Sequence, residues 1–228
     1  MNKEMLKANI QATVLNENGE PALSSAALDV YLEQARQEYG KYRPSPRVLA
    51  GSVSRMGGAL VTSAEEEIVA VSGVYGQPNT YDPYYGNTVF YGFDTLPPYP
   101  LADLSYDVAM NYINAFYREK ASMEIDFYTV GNRIIPTLPA FPARIVAVYG
   151  VVPTWEEIPE SQMGLLTTFI LGTAISSNSF ANLGVMSIPT PVGAFEFDAG
   201  KNSQIASREL LNRFYSELGS SASYVTSG

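Results

Sequence analysis

The side chains that most often do chemistry are absent from this chain or scattered along it. Its 228 residues include no cysteine and no histidine. The first absence removes disulfides, zinc-thiolate sites and thiol nucleophiles. The second removes the commonest general base and metal ligand, and with them any Ser-His-Asp triad. Carboxylates remain. Glu65, Glu66 and Glu67 are consecutive, as are Glu156 and Glu157. Neighbours in a strand point to opposite faces, so such runs do not converge on one reacting atom by themselves. A pair brought together by the fold would suit glycan hydrolysis. Asp94-Thr95-Leu96 has Leu where a catalytic Asp-Thr-Gly turn needs Gly, and reads as a loop carboxylate. Asp82 and Asp94 are a poor start for calcium, which takes about six oxygens. Gly57-Gly58 lacks the spacing and the Lys-Ser/Thr of a phosphate loop. No catalytic residue, metal or cofactor is assigned.

Aromatic residues are the other conspicuous group. Residues 75–100 are dense in tyrosine, phenylalanine, proline and glycine. Proline and glycine argue for a loop. Tyr81, Tyr84, Tyr85, Phe90, Tyr91, Phe93 and Tyr99 then become candidate interface residues, because such rings are favoured where proteins meet. The plainer reading is an ordered loop folded on its own domain. Trp155, the only tryptophan, stands between Pro153 and Ile158. It suits a hydrophobic staple or core anchor, or an interface hot spot. Tyr224, in the tail, completes the candidate set.

Composition bounds the rest. The length suits one domain, or one domain carrying an insertion, and buries roughly 70% of its unfolded surface. Charged residues make up 16%, low against the usual ~25%. Few charges hint at a surface covered by partners. The formal net charge of −9 does not suit a nucleic-acid binder, whose affinity comes from a basic patch. Residues 1–10 lack the apolar stretch of a signal peptide. Gly164–Ile175, the longest apolar run, is too short for a bilayer helix of about 20 residues. These features predict a protein made in the cytoplasm and not embedded in a membrane.

The elements that must position these residues are read from periodicity. Residues 1–21 read as an arm or short strand with a turn at Asn18-Gly19. A helix is predicted over 25–39, capped by Ser24 or Ser25, with Leu28, Tyr31, Leu32, Ala35 and Tyr39 on one face and Gly40 just past its end. Residues 47–75 read as strands. A second helix is predicted over 101–120, with Leu104, Val108, Tyr112, Ile113 and Phe116 as its stripe. Gly131-Asn132 between β-formers predicts a hairpin. In the following strand, Ile145, Ala147 and Tyr149 oppose Val146 and Val148. Pro159 opens a third helix to about Ala181, apolar on most sides and therefore central. Residues 182–200 read as a loop, and the last helix spans 203–218, with Ser207, Leu211, Phe214 and Leu218 on one face and Gly219 at its end. The predicted class is α+β. Residues 22–46 and 154–219 form a helical core, 47–153 a β-rich insertion with one further helix, 1–21 an arm and 220–228 a flexible tail.

Four stretches, taken in succession, resemble the head–tail connector proteins of tailed double-stranded DNA bacteriophages. LDVYLEQARQEYGKYRP is similar to that family's opening helix, including its Tyr42-Arg43-Pro44 end. DFYTVGNRIIPTLPAFPARIVAVYGVVPTW resembles its hairpin, proline-bearing loop and strand. EIPESQMGLLTTFILGTAI is similar to its small-residue helix, and RELLNRFYSEL to its closing helix. The resemblance covers about residues 25–220. The aromatic loop, the helix at 101–120 and the first residues depart from it and inherit no role. The resemblance implies a virion neck protein without catalytic residues. Its copies form a homo-oligomeric ring, commonly a dodecamer, beneath the portal protein. The ring docks the tail or a second neck protein, and DNA passes through its lumen without sequence-specific binding. An acidic lumen would repel phosphate and let the DNA slide.

Other readings share the profile. Another neck or tail component, such as a tail-completion or baseplate protein, is acidic and catalyst-free in the same way. A carboxylate-based glycan hydrolase is the enzymatic alternative. A carbohydrate-binding module is suggested by the tyrosines of 75–99.

Overall fold

A computed structural model describes residues 2–15, 20–53, 58–64, 66–78, 81–82, 86–87, 106–120, 123–137, 143–177, 185–190 and 193–220. In chain order, α1 (Lys3–Thr13) and α2 (Ser25–Tyr42) precede β1 (Ser45–Val53), β2 (Leu60–Val61) and β3 (Ile68–Pro78). Two short strands follow, β4 (Tyr81–Asp82) and β5 (Gly86–Asn87), then α3 (Tyr106–Lys120). Next come β6 (Met123–Glu124), β7 (Phe127–Val130), β8 (Arg133–Pro136) and β9 (Ala143–Val151). The chain continues with a 3-10 turn (Glu160–Gln162), α4 (Met163–Ser176), β10 (Val185–Thr190), β11 (Gly193–Asp198) and α5 (Ala199–Ser220). The class is α+β. Contacts divide the chain into a helical unit, residues 1–42 with 153–228, and a β-rich unit, residues 43–152.

The helical unit is organised around α4. This helix carries no charge, and Leu165, Leu166, Phe169, Ile170, Leu171 and Ile175 are all buried. An all-round apolar helix must be surrounded, and α1, α2 and α5 all contact it. Its Thr167 and Thr168 hydroxyls donate to the carbonyls of Met163 and Gly164, 2.8 Å each, so neither enters the core unsatisfied. The tightest approach is between α4 and α5. A Cβ on Gly172 would lie 3.0 Å from Leu211 Cγ, and the buried Ser207 hydroxyl donates to the Gly172 carbonyl at 2.7 Å.

Several expectations for this unit need correction. Residues 3–13 are a helix, not an arm or strand. Asn2 caps it by accepting from Glu4 N at 2.9 Å, and Leu6 and Ile10, one turn apart, enter the core. α2 runs through Gly40 to Tyr42, because Gly40 is buried in the helix and does not end it. Ser24 does cap α2, accepting from Ala27 N at 3.2 Å. Pro159 has extended ψ of 145° and opens the 3-10 turn; the α-helix starts at Met163. That helix stops at Ser176, not Ala181, where the Ser177 hydroxyl donates to the Ala174 carbonyl at 3.0 Å. The expected loop at 182–200 contains the β10–β11 hairpin, with Pro189 opposite Ala194. α5 begins at Ala199 and includes Gly219. Its buried residues are Ala206, Ser207, Leu210, Phe214 and Leu218, with Leu211 only partly covered.

The β-rich unit is layered about one strand. An antiparallel sheet of order β1-β9-β3-β6 has β9 inside it. Both faces of β9 are buried, as its unbroken apolar run requires. Ile145, Ala147, Tyr149 and Val151 join Val74, Leu60 and Ile134 on one side, against the three-stranded sheet β2-β8-β7. Val146 and Val148 join Tyr75, Met110, Ile113 and Tyr117 on the other, under α3. Pro46, which has no amide hydrogen, sits on β1 at the sheet edge. The Gly131-Asn132 hairpin forms between β7 and β8, with Gly131 at φ 58°. Two expectations change. Residues 75–78 belong to β3, not to a loop, and Tyr75 is buried. The stripe of α3 is Ala109, Met110, Ile113 and Tyr117, while Val108 is exposed.

Candidate functional site

The aromatic candidates do not gather in the described part of the molecule. Tyr81 lies in β4, paired with Asn87 of β5. Tyr84, Tyr85, Phe90, Tyr91, Phe93, Tyr99 and Tyr224 lie outside the described residues. So do Glu65, Asp94 and the expected tail.

Trp155 is well placed, and its position follows from local bonding. The Glu157 carboxylate accepts from Thr154 N at 2.8 Å, and Glu157 N donates to the Thr154 carbonyl at 3.1 Å. These bonds close a turn that lays Trp155 against the helical core, with Ile158 fully buried behind it. Arg36 anchors the same segment. Its Nη1 donates to the Pro153 carbonyl at 2.8 Å while its Nε holds Glu33, and Arg36 keeps the Glu33 carboxyl below its ordinary range. An open cleft of about 450 Å³ lies beside the indole, lined by Trp155, Glu156, Glu160, Asn2 and Lys3. Lys3 is already engaged by Asp29 at 3.3 Å. The cleft is thus lined by one indole, two carboxylates and the Lys3 ammonium.

A second surface is built by register. Across β2, β8 and β7, Leu60 pairs with Ile134 and Val61 with Arg133, while Arg133 pairs with Val130 and Ile135 with Tyr128. Leu60, Ile134 and Pro136 point into the core. Alternation sends Val61, Tyr128, Val130, Arg133 and Ile135 to the other side. A solvated sheet face is normally polar, and this one is apolar around a single arginine.

The carboxylate runs have structural work. Glu66 accepts from the Tyr149 hydroxyl at 3.0 Å and from Arg47 Nε at 3.3 Å. Burial, then the Glu66 carboxylate, pushes the Tyr149 phenol up to about 12. The Tyr75 hydroxyl donates to Asn114 Oδ1 at 3.0 Å, and Asn114 Nδ2 donates to the Ser72 hydroxyl. Among the described residues no three acidic side chains gather as a metal cluster. No described helix is long and apolar enough to cross a membrane. No protein-family model, curated protein or solved structure matches the chain.

Proposed function

We propose that the chain is a virion structural protein: a head–tail adaptor that assembles as a ring on the portal of a tailed phage, extends the DNA channel and docks the next neck or tail protein. The reading has no catalytic step. The observation that carries it is the architecture, in which helical segments from both ends of the chain enclose α4 and the intervening residues 43–152 form a separate β-rich unit. α2, the β7–β8 hairpin, β9, α4 and α5 fall on the stretches that carry the resemblance, whereas α1 and α3 lie outside it. The apolar outer sheet face and the low charged fraction of 16% support it, because both suit a subunit that hides surface in an assembly. The net charge of −9 suits a lumen that does not hold DNA.

Native mass spectrometry of the purified chain mixed with the portal protein of the same virus tests the reading. The expected product is a portal carrying a whole ring of this chain. A portal that binds none of it, or a chain that cleaves a cell-wall glycan instead, would refute the adaptor role. The DNA-facing part of the idea has its own check. Lumen-facing side chains that prove basic or neutral in the assembled ring would contradict it.

A further inference from the structure

The outer face of β2-β8-β7 has no role within one chain. Val61, Tyr128 and Val130 are 55, 54 and 56% exposed, far more than apolar strand residues facing a core. One cation and one carboxylate stand at opposite ends of this face. Arg133 is exposed at the turn end, between Val61 and Val130 in the register. Asp126 is exposed at the other end, just before β7. Thr137 N donates to the Asp126 carbonyl at 2.6 Å, so the β7–β8 ladder reaches this residue. Ile125 and Phe127, on either side of Asp126, pack into the core. Alternation therefore sends the Asp126 side chain outward with those of Tyr128 and Val130. Neither Arg133 nor Asp126 has an ion-pair partner among the described residues. They do not reach each other, because Arg133 lies level with Val130, roughly 13 Å of strand from Asp126.

We infer that this face docks on the same face of a second copy, across a two-fold axis. Charge complementarity decides the occupant. In a two-fold contact, if one residue meets another, the second must meet the first. A lone charge at the centre of the face would meet itself and repel. Two opposite charges set equally far from a centre satisfy the rule. The Tyr128–Ile135 pair is that centre, midway between the level of Arg133 and the level of Asp126. A second copy turned end to end about it brings each Arg133 over the partner's Asp126. Both chains then form the ion pair that neither forms alone. The apolar middle of Val61, Tyr128, Val130 and Ile135 is covered in the same step, and it excludes water from the two ion pairs. Arginine suits the position, because its long planar cation forks onto a carboxylate. The contact closes after two copies, so it builds no ring by itself and does not rest on the adaptor reading.

The test is sedimentation equilibrium of the full chain over a concentration series. The parent should show association through a dimer. Arg133→Glu and Asp126→Arg should each weaken that dimer by on the order of tenfold or more, since each substitution sets like charges together twice. Mixed in equal amounts, the two variants should recover a dimer about as tight as the parent's. The new carboxylate of the first variant meets the new guanidinium of the second, and the first variant's Asp126 meets the second's Arg133. Val61→Glu should also weaken the dimer. Val61 lies on β2, at the far edge of the sheet from β7, so a dimer joined edge to edge through β7 would not feel that change. Arg208→Glu, an exposed arginine on α5, should leave association unchanged and so separates the contact from net charge. Circular dichroism confirms that each variant is folded. A parent that stays monomeric, folded charge variants that associate like the parent, or a mixture no tighter than either variant alone would overturn the inference. A folded Val61→Glu chain that dimerises like the parent would overturn the face-to-face contact.

Discussion

The helical unit and the β-rich unit solve the burial problem in different ways. The first has one continuous core, in which α1 and α2 from one end of the chain meet α4 and α5 from the other. The second has two smaller cores, back to back, divided by the sheet that contains β9. Its buried and half-buried polar groups are organised too, with Tyr149 held by Glu66 and Tyr75 held by Asn114. In the helical unit the ion pairs lie mostly at the surface, Lys41–Glu38 and Arg213–Glu217 among them. The difference teaches where damage should spread. A cavity in a single core is felt by every helix around it. A cavity on one side of β9 leaves the other side packed.

Phe214 gives the largest expected effect. It is fully buried and its ring lies 4.8 Å from that of Phe169, at the meeting of α4 and α5. Phe214→Ala should cost about 3–5 kcal/mol in denaturant unfolding. Next come Ile145→Ala and Ile113→Ala, one in each core of the β-rich unit, at about 2–5 kcal/mol each. Their effects should add to within about 0.5 kcal/mol, because the sheet separates them. Ile170→Ala with Phe214→Ala, both in the helical core, should not add. Equal additivity in the two units would break the comparison.

Gly172 tests the same core at one point of contact. Gly172→Val must push Leu211 and Leu210 aside and should cost about 1–3 kcal/mol by thermal melting. Ser207→Ala removes the buried bond to the Gly172 carbonyl and should cost about 1 kcal/mol in the same assay.

The β-rich unit was the more legible of the two. Gly131-Asn132 between β-formers is a strong local signal, and the alternation of Ile145, Ala147 and Tyr149 with Val146 and Val148 maps directly onto two buried faces. In the helical unit, α4 was evident from its lack of charge. α1 was not, because its stripe is only Leu6 and Ile10 among polar residues, and its stability comes from the neighbours it packs on. Gly40 misled because its place in the core outweighed its preference for a helix end. β10 and β11 were hidden by Pro189, Pro191 and Gly193, although Phe195, Glu196, Phe197 and Asp198 alternate as a strand should. The Trp155 cleft was half visible. Trp155 was singled out for its type, but Asn2 and Lys3 come to it from the other end of the chain. The apolar outer sheet face needed the register, since Val61 and Arg133 are far apart in sequence.

Alkaline titration gives the smallest effect and separates the units again. Burial and Glu66 raise Tyr149 to about 12, while burial and Glu38 raise Tyr215 to about 12. A raised phenol keeps its proton in the folded state. Its stabilisation is therefore present below the ordinary value of 10.0 and lost as pH climbs towards 12. Phenolate absorbance should show Tyr149 and Tyr215 titrating late, with the buried Tyr75, also raised by burial and then by Glu124, beside them. Glu66→Gln should bring Tyr149 down alone, and Glu38→Gln Tyr215 alone. A single variant that moved both would show that the units are electrostatically coupled.

The adaptor reading itself is tested most directly by cryo-electron microscopy of the phage neck, with this chain located by a fused tag. The account predicts a closed ring of this chain directly beneath the portal, with the helical and β-rich units both visible in each subunit. A chain found at the baseplate, along the tail or nowhere in the virion would contradict it.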